Sequence, residues 1–142
     1  MTASLARLLD EHDGIGTRAR AILLLLDEDE AQPGRAAGML GELKATIADH
    51  VAYEEQFIYP EMSKAGSADL SDTAEMFAEE FVALRGDWVG YLDAWPDTAI
   101  GGDWPGFAAA TRAILPRMLD RVRRENDCLY PLALRRGAVR LR

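Results

Sequence analysis

The chain has 142 residues, a formal net charge of −8, one cysteine and a hydrophobic content of 49 %. That length supports one domain with an apolar core of its own, and a lone cysteine rules out an internal disulfide and fits a reducing compartment. An acidic chain whose lysines are only Lys44 and Lys64 argues against nucleic acid and anionic membranes as partners.

Apolar residues recur in steps of three and four along four stretches, which is the seam of a helix bundle. The first helix is expected over about residues 3–28, with Leu5, Leu8, His12, Ile15, Ala19, Ile22 and Leu26 inward. Charges at Arg7, Asp10, Glu11 and Asp13 interrupt any signal-peptide core there, and Leu23 to Leu26 is too short to cross a membrane. The expected location is the cytoplasm. Pro33 and its neighbours break this helix from the second, expected over about 34–64, with Leu40, Leu43, Ile47, His50, Glu54, Phe57 and Glu61 on the seam.

The third helix is expected over about 72–95, capped by Asp72 with Glu75 as its N3 partner, and carries Phe77, Phe81, Leu84, Trp88, Tyr91 and Trp95. The fourth, over about 104–135, has Asp103 as its cap and Pro105 in its first turn. Its seam is Phe107, Thr111, Ile114, Met118, Arg121, Glu125, Cys128 and Leu132, with Cys128 read as a small buried hydrophobe. Pro60, Pro116 and Pro131 fall inside helical patterns, where each must be accommodated by a local distortion. Short connections imply antiparallel neighbours, so the fold class is all-α, an up-down-up-down antiparallel four-helix bundle.

His12, His50, Glu54, Arg121 and Glu125 sit at seam positions where the pattern demands apolar residues. Counted from the helix ends they fall at one level to within about a turn. Unpaired charges in a bundle core would cost several kcal/mol each, so the cluster has a reason to exist. An internal repeat points to it as well. His50 to Pro60 and Arg121 to Pro131 share Glu, Tyr and Pro at the same offsets, 71 residues apart, but His50 is replaced by Arg121. A weaker echo, offset by 69, pairs Glu11-His12 with Glu80-Phe81. Histidines paired with glutamates suggest a metal site, partly dismantled in the second half. Tyr53, Glu55 and Glu80 lie beside the seam and read as surface or supporting positions.

At these residues the chain resembles the hemerythrin family in its bacterial HHE cation-binding form. His12 and the run His50 to Pro60 match that family's first half; Glu125, Leu129, Tyr130 and Pro131 match the second, while Phe81 and Arg121 stand where the family has histidines. The resemblance implies a four-helix bundle holding two bridged irons that bind oxygen, sense oxygen or redox state, or store iron. It also implies that the A and B histidines serve one ion and the C and D histidines the other. This chain therefore keeps the half-site His12, His50, Glu54 and Glu125 and has lost the other. Arg121 would place a fixed positive charge where the second ion stood.

Ligand count argues against two irons. Two readings stay open for the retained half: a single ion such as Fe(II), Zn(II) or Mn(II), or no metal, with Arg121 paired to Glu54 and Glu125. Competition for the carboxylates tilts the sequence reading toward the second. No phosphate loop, nucleophile elbow, cofactor motif or separate acid–base pair points to an enzyme. The functional expectation is a small sensing, binding or regulatory protein, acting on an unidentified protein partner or as a homodimer; the alternatives are a metal-free helical interaction module, or a non-heme di-iron or mono-iron oxygen- or iron-binding protein.

Overall fold

The computed structural model describes residues 3–142. A two-residue strand, β1 (Ala3–Ser4), leads into α1 (Leu5–Leu26). The second long segment is α2 (Pro33–Tyr53), a π-helical turn over Glu54–Ile58, and α3 (Tyr59–Lys64). The third is α4 (Ala68–Ala94), followed by the short α5 (Asp97–Gly102). The fourth is α6 (Trp104–Arg124), a second π-helical turn over Glu125–Leu129, and α7 (Tyr130–Arg135). The last element, β2 (Val139–Arg140), pairs in parallel with β1, Ala3 opposite Val139 and Ser4 opposite Arg140. The architecture is an all-α bundle: α1 packs on α2 and α6, and α4 packs on α6 and α3.

Caps set the helix starts. Ser4 Oγ accepts from the Arg7 amide at 3.3 Å, and Asp103 caps α6 through the Gly106 amide at 3.0 Å, as its sequence position suggests. The third helix begins five residues earlier than the Asp72 cap would place it, with Ser67 as its cap. Gly66 turns the chain at φ 71°, Ser67 Oγ caps the Leu70 amide at 3.4 Å, and Leu70 is buried in the first turn. Two other elements lack a periodic signal because they are so short. One is the β1–β2 ladder; the other is α5, which lies in the expected loop and buries Ile100.

The two π-helical turns sit at equivalent places in the repeat and accommodate Pro60 and Pro131. The Tyr59 amide bonds to the Glu54 carbonyl and the Tyr130 amide to the Glu125 carbonyl, each five residues back. One extra residue in the turn rotates everything beyond it by about 100° relative to an α-helical seam. The buried positions are therefore Ile58 and Met62 rather than Phe57 and Glu61, and Leu129 and Ala133 rather than Cys128 and Leu132. Cys128, expected in the core, is exposed. Pro116 lies on the exposed face of α6, which runs through it.

Buried apolar residues form two clusters. One includes Ile15, Ile22, Leu43, Trp88, Phe107 and Leu115; the other includes Leu8, Ile58, Met62, Leu70, Phe77 and Tyr130. His12, His50, Glu54, Arg121 and Glu125 are all buried as well. By position along the helices they fall between the two clusters, His12 for instance between Leu8 and Ile15.

Candidate metal centre

His12 comes from the middle of α1 and His50 from the last turn of α2. Glu54 and Glu125 each open a π-helical turn, which directs both carboxylates inward one turn after His50 and Arg121. The structure brings His12, His50, Glu54 and Glu125 together: one ligand-type atom from each lies within 4.8 Å of all the others. His12 Nε2 is 2.9 Å from His50 Nε2 and 3.1 Å from Glu125 Oε1. His50 Nε2 is 2.5 Å from Glu54 Oε1.

The outer ring nitrogens fix these orientations. His12 Nδ1 lies 2.6 Å from Asn126 Oδ1, and His50 Nδ1 lies 2.8 Å from Glu11 Oε1. Both partners are acceptors, so each Nδ1 carries a hydrogen and donates outward, and each Nε2 is turned inward; this assignment follows from the hydrogen-bond network. Two facing nitrogen lone pairs 2.9 Å apart repel unless a proton or a metal cation lies with them. The Tyr130 hydroxyl adds a further polar atom 3.0 Å from His12 Nε2, and its ring stacks on the imidazole at 5.0 Å between centroids.

Without an ion, a proton takes that place. Burial pulls the His50 pKa down, but the hydrogen bond and charge of Glu54, with Glu11 and Glu125, push it up to about 9. Burial and the neighbouring charge of Glu125 hold the Glu54 carboxyl above the usual carboxylate range, against the pull of His50. Burial acts the same way on Glu125, but the His12 hydrogen bond and the Arg121 charge outweigh it and lower its pKa.

Arg121 is 9 % exposed and donates to the Phe77 carbonyl at 2.6 Å, the Tyr59 hydroxyl at 2.9 Å and Glu125 Oε2 at 3.3 Å. It pairs with Glu125 but not with Glu54, contrary to the metal-free sequence reading; Glu54 turns to His50 instead. The guanidinium carbon lies 5.0 Å from the centre of the Phe81 ring and 5.1 Å from that of Phe77. The two residues standing at the substituted positions are thus in contact with each other. Glu54 Oε2 is buried and has no hydrogen-bond partner.

Among the supporting positions, Glu80 pairs with Arg124 at 2.5 Å and Glu55 pairs with Arg85, all on the surface side. Tyr53, read as surface or supporting, is buried beneath the Arg7 guanidinium at 3.7 Å. Glu11, Asn126, Tyr59 and Tyr130 belong to the site and were not singled out as part of it. Glu11 was half of the Glu-His echo, and the tyrosines are the repeated Tyr-Pro; Asn126 had no signal.

The donor set suits a divalent ion. Bonds of about 2.1 Å in octahedral geometry put neighbouring ligand atoms about 3 Å apart, close to the separations of the inward atoms. Two imidazoles with carboxylates are a workable set for one first-row metal. Residues 3–133 match the family model described as the hemerythrin HHE cation binding domain. The chain belongs to the hemerythrin family. No curated protein and no solved structure matches it. In this hemerythrin-family bundle the buried His/Glu group could bind a metal. Among the described residues no helix is long and apolar enough to cross a membrane.

Proposed function

We propose that this hemerythrin-family chain is a one-ion binding protein. His12, His50, Glu54 and Glu125 hold a single divalent cation, and the Arg121 guanidinium against Phe81 stands in the place of a second ion. The observation that carries the reading is the pair of inward Nε2 atoms, each held there by an acceptor on its Nδ1. A bound ion would supply a Lewis-acidic centre that exchanges small ligands. The protein's own residues orient the imidazoles, neutralise Glu125 through Arg121 and surround the centre with apolar side chains. These attributes suit a sensing or binding protein.

The test is titration of chelator-treated protein with cobalt(II), followed by visible absorption. Saturation at one equivalent, abolished in His50→Ala, is the expected result. A second reading has its own observation. The His50–Glu54, His12–Glu125 and Arg121–Glu125 pairs satisfy most of the cluster without an ion, as a metal-free interaction module for a protein partner or a second copy would require. Absence of any cobalt signal would decide for that reading.

A further inference from the structure

A cavity of about 590 Å³ opens onto the polar cluster, whose His12, His50, Glu54, Arg121 and Glu125 all line it, and its other walls come mainly from α2–α3 and α4. That volume is enough for a small organic ligand. Its walls are mainly apolar, Ile47, Val51, Ala74, Phe81, Met118 and Val122 among them, and Glu54 is one of its lining residues. Glu54 is 6 % exposed, and its Oε2 is the one buried side-chain oxygen or nitrogen among the described residues without a hydrogen-bond partner. Buried carboxylate oxygens are costly to leave unpaired, so this atom calls for a donor.

The other oxygen of the same carboxylate is already committed. Glu54 Oε1 meets His50 Nε2, which leaves Oε2 as the oxygen without a partner. The head group that fits is therefore a donor. An anionic head would meet Glu54 and Glu125 in a chain of net charge −8, and both arginines that line the cavity are engaged, Arg121 by the Phe77 carbonyl, Tyr59 and Glu125, and Arg85 by Glu55. Glu75 and Ser71, also among the lining residues, add no positive charge.

We infer that the cavity binds a small amphiphilic amine, its ammonium group donating to Glu54 Oε2 and its hydrocarbon body lying along the apolar wall. A charge-assisted hydrogen bond supplies selectivity for the head, and the wall supplies the bulk of the affinity. The inference goes beyond the one-ion reading and does not depend on it.

Isothermal titration with octylamine, octanol and octanoate tests it, run on chelator-treated protein and again after cobalt(II) addition. Octylamine should bind in both states, about tenfold or more tighter than octanol, with octanoate weakest. Glu54→Gln should weaken octylamine by about tenfold and largely erase the preference for it. Ala78→Trp, at an exposed position on the cavity wall, should block all binding without touching the polar cluster. Equal affinity for the three compounds, no binding of octylamine, or octylamine binding unchanged in either variant would overturn the inference. Octylamine binding with no cobalt signal would leave the amine site standing and remove the one-ion reading; cobalt uptake without octylamine binding would do the reverse.

Discussion

Replacing Arg121 with methionine keeps much of the side chain's length and removes its charge. The guanidinium is nearly out of solvent, so its 3.3 Å pair with Glu125 Oε2 is poorly screened. The Tyr59 hydroxyl and the Phe77 carbonyl lose a donor in the same step. Breaking a buried pair from one side costs about 3–5 kcal/mol. Glu125 keeps His12 at 3.1 Å, which places the expected loss near the lower end, about 3 kcal/mol. For a urea dependence of about 2 kcal/mol per molar, the unfolding midpoint should fall by about 1.5 M.

The loss should depend on pH, with a definite sign. Burial and the Glu125 charge already hold the Glu54 carboxyl high, and without Arg121 the pair of carboxylates takes up a proton more readily. A raised folded pKa gives relief that is present below the unfolded carboxylate value and disappears as pH rises through the folded one. The variant should therefore lose most near pH 8 and less near pH 5. Urea denaturation of chelator-treated parent and variant, followed by circular dichroism at both pH values, is the assay. A variant as stable as the parent at both would mean that Arg121 does not neutralise these carboxylates, and the charge-replacement account would fail.

Restoring histidine at both substituted positions, Phe81→His with Arg121→His, should raise metal uptake toward two ions per chain; elemental analysis showing uptake no greater than the parent's would count against a displaced second half-site. Glu11→Ala and Asn126→Leu, which release the outer nitrogens of His50 and His12, should each weaken cobalt(II) binding by about 10–100-fold while leaving the far-ultraviolet spectrum unchanged. Chelation should not unfold the bundle, because buried leucines, isoleucines and phenylalanines lie in both apolar clusters and contribute about 1.5–3 kcal/mol each. Collapse of helicity on adding a strong chelator would show instead that an ion holds the core together.

Much of this arrangement is legible in the residues alone. The three-and-four stepping locates the four long helical segments, and polar residues at seam positions pick out the five side chains that meet in the core. The 71-residue repeat shows why Glu54 and Glu125 are equivalent. The seam fails beyond each glutamate for one physical reason. The π-helical turns insert a residue, so a strict heptad places Cys128 and Phe57 inward where the chain buries Leu129 and Ile58. Pro60 and Pro131, each two residues past the buried Ile58 and Leu129, signal a distortion but not its kind. Arg121's bond to Glu125 follows the four-residue spacing along its own segment, but that it leaves Glu54 to His50, and that Glu11 reaches His50 from a different helix, depend on side-chain reach across the bundle and are not visible as spacing along one helix.

In the proposed function one ion, and one only, belongs among His12, His50, Glu54 and Glu125. Elemental analysis of the full chain purified without chelator, set beside the same preparation of a His12→Ala, His50→Ala double variant, tests it directly. The parent should carry close to one equivalent of a divalent first-row metal and the variant none. Two equivalents in the parent would contradict the replacement of the second ion by Arg121 and Phe81, and a metal-free parent that also refuses added cobalt(II) would contradict the one-ion centre itself.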